Sequence, residues 1–294
     1  MGIKNTNQFF SNTKNWLTMF ISFYCISVFS QDLEPRAYAS VPKGMNVLAV
    51  GYGFIKGNVL TDPSLPINDF IINTQSLGVN YIHSFAISKK LARVQVSLPF
   101  ADMRGRMMQN GEEITGSRSG MADMRIRFGI NLTGLPAQER KDFKPNKEKA
   151  VLGVSFVTSI PTGRYYEDKK INLGSNRWAF KPEIGVSRKF KNVYAEAYLG
   201  TWFYANNTEY LTNKVLKQNP TLTLQAHASY YFKNQMWVGL NTNWYKVGKT
   251  TIDGQVSNDV LNDWRVGATY SVPIAKAHAL RLQFHTGLMS NFRT

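Results

Sequence analysis

The chain has 294 residues, a formal net charge of +16, and 43% hydrophobic and 13% aromatic residues. This length allows one large β-domain or two ordinary domains. The mean hydropathy of −0.27 does not exclude a membrane protein, because a membrane barrel carries its lipid-facing side chains only at alternate positions. Strong basicity is typical of nucleic-acid binding. Here the basic residues are scattered without a helical stripe, so we expect an anionic surface rather than a nucleic acid as partner.

The N-terminal region contains the only long apolar run, residues 16–29, which follows Lys4 and Lys14. A run of about 14 residues is short for a membrane helix and suits the core of a secretory signal peptide. We therefore predict a cleaved signal peptide over 1–30 and a mature domain over 31–294. A membrane anchor that stays attached is the alternative.

Cysteine and histidine usage gives little chemistry to the mature domain. Cys25 is the only cysteine and lies inside the predicted signal peptide, so we expect neither a disulfide nor a thiolate. The four histidines have no close metal-ligand spacing, and no dinucleotide fingerprint precedes a helix. We expect no metal and no other cofactor.

Alternation of apolar and polar residues is clearest over 122–132, where Ile126 and Phe128 would share one face of a strand. Arg125 and Arg127 would share the opposite face, because successive side chains of a strand point to opposite sides. The pattern recurs over segments of roughly 8 to 11 residues, the length of a tilted strand that crosses a bilayer. It predicts eleven strands, at about 46–55, 77–85, 91–98, 122–132, 150–160, 178–188, 193–203, 222–231, 236–245, 264–272 and 280–288.

Short and long connectors alternate between these strands, with one exception at 133–149. Outer-membrane barrels have short periplasmic turns and longer extracellular loops, so the alternation predicts sidedness as well as fold. The predicted periplasmic turns are 86–90, 189–192, 232–235 and 273–279. The predicted surface loops are 56–76, 99–121, 161–177, 204–221 and 246–263.

Aromatic residues on the apolar faces fall near the strand ends, as the two interfacial belts of a membrane barrel require. The belt residues are Trp178, Phe203, Trp244 and Trp264 at the outer ends and Tyr230 and Tyr270 near the inner ends. We therefore predict an all-β, antiparallel transmembrane β-barrel in a bacterial outer membrane. We expect it to be a monomer in contact with outer-membrane lipid and lipopolysaccharide.

An odd number of strands conflicts with this architecture. Even numbers are the rule in bacterial single-chain barrels, and an unpaired edge in lipid costs several kcal/mol for each orphaned backbone group. We expect about 12 strands. The twelfth either follows the last residue of this sequence or lies within 31–45 or 133–149.

Several short blocks resemble those of one known family. They are DLEPRAY (32–38), PKGMN (42–46), DPSLP (62–66), RSGMAD (118–123), PTGRY (161–165), NLGSNRW (172–178) and NDWRVG (262–267). Together they resemble the outer-membrane proteins named for the MetA pathway of phenol degradation, over nearly the whole mature chain. NLGSNRW is the most specific block.

The resemblance implies an outer-membrane barrel that acts as a transporter, connected by name with the degradation of aromatic compounds. It offers no catalytic residues. Members of the family continue through a further strand after the region in which this chain ends, so the resemblance also favours a missing twelfth strand.

The polar faces of the predicted strands provide a candidate lumen lining. Its residues are Arg93, Asp123, Arg125, Arg127, Lys181, Glu183, Glu196, His227, Arg265, Arg281 and His285. Opposite charges on neighbouring strands can pair across the wall and fix the strand register. Alternatively, the cationic surplus favours anions, as basic rings do in anion pores. Aromatic carboxylates or phenolates would suit both this charge and the aromatic content.

Two long loops have two possible roles each. Arg104, Arg106 and Arg118 flank a loop at 105–120 that is long enough to fold inward as a constriction. The same loop could equally stay at the surface and bind lipopolysaccharide phosphates. Residues 161–177 allow both interpretations as well.

Three functions remain open at this stage. The first is a channel or transporter that passes small molecules by passive or facilitated diffusion. The second is a closed structural or interaction barrel. The third is a lipase-like enzyme using His227 and Ser229, which share a face, although the sequence provides no convincing triad. We favour the channel and expect no enzymatic activity.

Overall fold

The structure is a computed structural model that describes residues 20–24, 34–58, 67–109, 111–144, 150–257 and 259–292. Within these ranges the regular structure consists of strands alone. No helix in them is long and apolar enough to cross a membrane. The strands are β1 (Phe20–Tyr24), β2 (Asn46–Asn58), β3 (Ile67–Ile87), β4 (Lys90–Gln109), β5 (Glu112–Met121), β6 (Met124–Asn131), β7 (Val151–Ile160), β8 (Ala179–Phe190), β9 (Val193–Tyr204), β10 (Asn207–Tyr210), β11 (Lys214–Gln218), β12 (Thr221–Tyr231), β13 (Trp237–Lys246), β14 (Thr250–Ile252), β15 (Gln255–Val256), β16 (Leu261–Ala275) and β17 (His278–Phe292).

Eleven long strands form one curled antiparallel sheet in which neighbours in sequence are also neighbours in space. Its order is β2-β3-β4-β6-β7-β8-β9-β12-β13-β16-β17. All eleven strands predicted from the alternation pattern are present. The prediction of an all-β antiparallel barrel fold is therefore confirmed.

The two end strands, β2 and β17, run in the same direction because the number of long strands is odd. A strand between them must therefore be parallel to both or antiparallel to both. β1 lies there and pairs in parallel with each of them. Its five residues belong to the run predicted as a signal-peptide core; the rest of 1–30 lies outside the described residues. No strand forms within 34–45. The alternative that placed a twelfth strand within 31–45 is therefore wrong for these described residues.

The buried and exposed faces of the sheet are reversed relative to a soluble protein. In β8, Lys181 and Glu183 are only 1% and 5% exposed, whereas Ile184 and Val186 on the other face are 45% and 40% exposed. Exposed apolar surface costs about 25 cal/mol per Å² in water but nothing comparable in lipid. The outer face of the sheet is therefore suited to the interior of a bilayer.

Three predicted surface loops, 99–121, 204–221 and 246–263, contain strands that hydrophobic alternation does not reveal. The segment 99–121 continues β4 and turns back as β5. Gly111 at the turn has φ +84, and Asn110-Gly111 is a strong hairpin signal. Asp253 and Gly254, both at positive φ, make the corresponding turn between β14 and β15. With β10 and β11, these two strands form a separate four-stranded antiparallel sheet.

The exceptional connector 133–149 has no strand in its described part, 133–144. It lies beside the short turn between β3 and β4, since the amide of Ala137 donates to Lys89 O at 2.7 Å. Lys43 contacts the same connector through its backbone amide and through an ion pair with Glu139 at 2.8 Å. The connector therefore flanks the N-terminal segment at the short-turn end of the sheet.

Candidate functional site

Residues 34–41, here called the plug segment, lie against the polar inner face of the sheet. The backbone amide of Arg36 donates to Glu196 Oε2 at 2.8 Å, and that of Ala37 donates to the hydroxyl of Tyr198 at 3.2 Å. Both acceptors are on β9 and face the lumen. The segment has no alternating pattern, so sequence reasoning missed its place inside the barrel.

Tyr38 is the centre of the plug segment and is only 2% exposed. Its ring fits between Gly153 on β7 and Gly185 on β8, which are directly paired. A Cβ atom at Gly153 would lie 2.3 Å from the ring, and one at Gly185 would lie 2.1 Å from it. These two glycines therefore create a slot that any larger residue would close.

The phenol hydroxyl of Tyr38 reaches polar groups at the bottom of this slot. It contacts Ser155 Oγ at 3.2 Å and Glu183 Oε1 at 3.1 Å. Burial, and then the negative charge of Glu183, raise the pKa of Tyr38. The hydroxyl therefore remains a donor to the carboxylate at neutral pH.

A charged cluster joins the plug segment to the wall. Arg127 on β6 forms ion pairs with Glu34 of the plug segment and, at 2.5 Å, with Glu183. Lys181 lies 3.2 Å from the other oxygen of Glu183. Removing one partner of such a buried group leaves an uncompensated charge, which is strongly destabilising. Arg127 and Glu183 lie on β6 and β8, with β7 between them, and Lys181 is on the same strand as Glu183. These pairs are therefore not the neighbouring-strand pairs that the sequence suggested.

Arg36 holds the neighbouring part of the plug segment. Its guanidinium lies 3.6 Å from the ring centre of Tyr194 and 3.6 Å from Glu196 Oε1. Burial by itself would lower the pKa of Arg36, but Glu196 and the surrounding tyrosines raise it. Arg36 therefore stays charged inside the barrel.

Arg93 on β4 completes the attachment. Its two terminal nitrogens donate to the carbonyl oxygens of Ala37 and Ala39. These carbonyls belong to the residues directly before and after Tyr38. The planar guanidinium therefore binds the backbone on both sides of the buried tyrosine.

At the long-loop end, the connector 161–178 folds inward over the lumen and is here called the lid. Asp123 anchors it: Oδ1 accepts from the amide of Gly163 at 3.0 Å, and Oδ2 accepts from the amide and hydroxyl of Ser175 at 2.8 and 2.5 Å. Of the two loops that the sequence left open, the lid is thus the one that turns inward. The 99–121 segment forms a largely exposed hairpin instead.

Buried side chains hold the lid in place. Leu173 is 5% exposed and packs with Ala101 and Ala122. Asn207, which is 1% exposed, donates to the hydroxyl of Tyr165 at 2.9 Å and accepts from Asn176 at 3.2 Å. The lid is therefore a packed element and not a loose loop.

A cavity of about 1060 Å³ lies between the plug segment and the lid. Its lining carries far more basic than acidic residues. The basic ones are Arg36, Arg93, Arg125, Arg127, Lys170, Arg177, Lys181 and Arg281, and the acidic ones are Glu34 and Asp123. The lining predicted from strand parity contributes Arg93, Asp123, Arg125, Arg127, Lys181, Arg281 and His285 to it.

Aromatic rings and cations meet on the cavity wall. The guanidinium of Arg125 lies 5.6 Å and the ammonium of Lys181 5.3 Å from the ring centre of Trp202. Arg177 lies 4.6 Å from the ring centre of Tyr204 and donates to Gln218. The aromatic faces stabilise these cations without neutralising them.

Arg177 differs from the paired arginines below it. Among the described residues no partner meets its buried Nε and Nη1. Burial lowers its pKa, although Tyr204 and then Asp123 act in the opposite direction. Its free nitrogens are suited to an incoming anion. Sequence reasoning missed Arg177, although the NLGSNRW block contains it.

The remaining predicted lumen residues lie on the inner face outside the cavity lining. Glu183 and Glu196 are buried beneath the plug segment. Arg265 pairs with Asp263 at 2.8 Å on the same strand. His227 is 3% exposed, and its Nδ1 lies 2.9 Å from Asn241 Oδ1.

The lipase-like arrangement is incomplete in this geometry. Asn241 orients His227, but Ser229 is fully buried and its hydroxyl has no hydrogen-bond partner among the described residues. A nucleophilic serine must contact its base and be reached by substrate. Neither His227 nor Ser229 lines the cavity.

The predicted belt residues lie on the outer face. Five of them are between 37% and 46% exposed, namely Trp178, Phe203, Tyr230, Trp264 and Tyr270. Trp244 is half-buried and faces Leu224 and Trp264 on the neighbouring strands. Their position at an interface with lipid stays a prediction.

An antiparallel sheet with an apolar outer face and a charged, internally occupied lumen defines the class of transmembrane β-barrels. The sequence profile of the family described as "Putative MetA-pathway of phenol degradation" matches residues 55–289. The chain belongs to this family, as the resemblance in the sequence indicated.

The fold is similar to the crystal structure of an outer membrane channel from Pseudomonas putida F1. The TM-score is 0.72 and the sequence identity 16%, over 88% of this chain and 93% of that chain. The comparison with curated proteins gives no match. At this identity the similarity concerns the fold.

Proposed function

We propose that this protein is an outer-membrane channel that passes small anionic solutes, aromatic carboxylates in particular, by passive or facilitated diffusion. The observation that carries the proposal is the cavity lining, with eight basic residues against two acidic ones. A basic surplus remains when Glu183 and Glu196, which pair with lining residues from beneath the plug segment, are counted as well. In a low-dielectric wall such a surplus concentrates anions, as it does in anion-selective pores. The family and the channel fold of the Pseudomonas putida protein support the same assignment.

The aromatic preference rests on Trp202 and Tyr204. Both rings line the cavity next to cationic side chains, so a solute that carries a ring and a carboxylate can stack and pair at once. A sugar of similar size could use neither interaction fully. We assign the plug end to the periplasm and the lid to the cell surface from the connector lengths.

A closed interaction barrel is the second candidate, and it is favoured by the plug segment and the lid, which both occupy the lumen. The two candidates differ in one respect. A channel requires these elements to move, whereas a closed barrel keeps them docked. Exposed basic connectors would bind lipopolysaccharide phosphates in either case.

Solute entry into liposomes that contain the folded full-length protein tests the proposal. Benzoate should enter faster than a sugar of similar size, and Arg125→Gln should reduce this preference by about threefold or more. Arg104→Gln is the matched control, because Arg104 is exposed and already pairs with Asp102 outside the cavity. Entry equal to that of empty liposomes would support the closed barrel.

A lipase-like activity has its own readout. If the buried serine acts as a nucleophile, the parent protein will hydrolyse fatty-acid esters, and His227→Ala will abolish the reaction. We expect no hydrolysis by either protein. Turnover by the parent that disappears in the variant would contradict the assignment as a channel without enzymatic activity.

A further inference from the structure

The side chain of Tyr38 is a phenol, and the slot contacts its ring, its hydroxyl and the backbone on either side of it. We propose that this slot is a binding site for 4-hydroxyphenyl carboxylic acids, which enter it in competition with the plug segment. The proposal rests on the proposed function, since it names the solute class that the channel would admit.

The ring of the ligand would occupy the space of the Tyr38 ring. That space exists because Gly153 and Gly185 have no side chains, and the ring of Tyr198 closes it edge-on at 5.2 Å between ring centres. The slot therefore selects a flat ring without bulky substituents beside the hydroxyl.

The hydroxyl end of the slot is specific for a donor. Glu183 is held as a carboxylate by Arg127 and Lys181, so it accepts a hydrogen bond but cannot give one. Ser155 lies at the same end, 3.4 Å from Glu183. A phenol donates to this carboxylate oxygen as Tyr38 does, whereas a ring without a hydroxyl removes one of its donors and leaves those of Arg127 and Ser155.

The opposite end of the slot is specific for a pair of acceptor oxygens. Arg93 directs two terminal N–H groups at the carbonyls of Ala37 and Ala39, on either side of Tyr38. When the plug segment leaves, a carboxylate on a short chain opposite the phenol hydroxyl can take both donors. Bidentate contact with a charged carboxylate is stronger than contact with two neutral carbonyls.

Competition follows from this overlap. The plug segment is attached through ion pairs and hydrogen bonds that a solute replaces only in part, so it remains docked until the ligand concentration is high. A solute that fills the slot leaves the plug segment no place for Tyr38. Ligand binding and opening of the plug end thus become one event.

The first test removes the resident phenol. Purified Tyr38→Ala protein should bind 3-(4-hydroxyphenyl)propionate, which is tyrosine without its amino group, and the ligand should raise the variant's melting temperature. 3-Phenylpropionate, which lacks the hydroxyl, should bind at least about tenfold more weakly. Tyr38→Phe is the matched control, because its ring still fills the slot and should prevent binding.

The second test follows the plug segment in the otherwise native protein. Ser40→Cys, made with Cys25 replaced by serine, reports exposure of the segment through its rate of reaction with a thiol reagent. The hydroxylated acid should accelerate this reaction several-fold, and 3-phenylpropionate should not. This measurement remains decisive even if Tyr38→Ala does not fold.

Two results would overturn the proposal: equal binding of the two acids, or unchanged Ser40→Cys labelling at saturating hydroxylated acid. Unchanged labelling would mean that the plug segment stays docked and that Tyr38 closes the slot permanently. Both tests are made in detergent without any flux. Binding and displacement without solute entry into liposomes would therefore refute the channel function and leave the phenol site standing.

Discussion

Gly153 and Gly185 face each other across β7 and β8, and the ring of Tyr38 occupies the space that their missing side chains leave. This relationship makes the N-terminal segment part of the barrel interior. The two glycines carry no functional group, but the space they leave determines which group fits at this point of the lumen.

Gly153→Ala should expel Tyr38 from its slot, since the new Cβ would lie 2.3 Å from the ring. We expect faster Ser40→Cys labelling and faster solute entry than in the parent. Gly129→Ala is the matched control, because a Cβ there has its nearest neighbour at 3.5 Å, an ordinary contact. Similar labelling in both variants would show that the slot does not retain the plug segment.

Arg127→Gln should destabilise the folded barrel by about 3 kcal/mol, because the buried carboxylate of Glu183 would lose one of its cationic partners. It should also release Glu34 and therefore increase solute entry, in contrast to Arg125→Gln. Arg104→Gln, at an exposed ion pair, should cost under about 1 kcal/mol. Unfolding in denaturant measures the stability of both variants. Equal losses of stability would contradict the view that the buried cluster is the main electrostatic contribution to stability.

Asp123→Ala should release the lid, since three hydrogen bonds from Gly163 and Ser175 end on this carboxylate. We expect larger or more frequent conductance steps in planar bilayers. Asp168→Asn serves as control, because Asp168 is exposed on the same connector and pairs with its neighbour Lys169. Unchanged conductance in Asp123→Ala would mean that the lid does not limit passage.

Docking of the plug segment should weaken at high pH. Burial, then Glu183, raise the pKa of Tyr38 above its ordinary value of 10.0. A raised pKa means that the docked state holds the proton more tightly, so its stabilisation is complete below pH 10 and is lost as pH rises through the raised pKa. A spin label on the plug segment, followed from about pH 8 to about pH 12, should become mobile in the parent. The Tyr38→Phe variant should lack that transition. Identical mobility profiles in the parent and the variant would refute the role of the Tyr38 hydroxyl in docking.

The eleven strands could be predicted from the sequence because each carries its own evidence. Alternation such as Lys181 and Glu183 against Ile184 and Val186 is a local property, and a membrane on one side enforces it along every strand. Strand parity likewise identifies which charges face inward. Asn110-Gly111 and Asp253-Gly254 are hairpin signals in the sequence. They were not used for prediction, because the polar strands beside them lack hydrophobic alternation.

The plug segment and the lid could not be derived in this way. DLEPRAY and NLGSNRW are recognisable as blocks, but neither has a periodicity that indicates where it goes. The plug segment depends on partners more than 100 residues away, as with Tyr38 and Ser155 or Glu34 and Gln225. The lid depends on Asp123, which is 52 residues from Ser175. Only closure of the sheet brings such partners together.

The sequence by itself thus determined the wall of this protein: its strands, its two faces and the cationic surplus inside. The tertiary structure decided what occupies the lumen and which charges remain available. Arg127 and Lys181 share Glu183 beneath the plug segment, whereas Arg177 stacks on Tyr204 in the cavity with two unpartnered nitrogens among the described residues. The physical reason is that periodicity is a one-dimensional signal, while the pairing of buried charges depends on distances that exist only after folding.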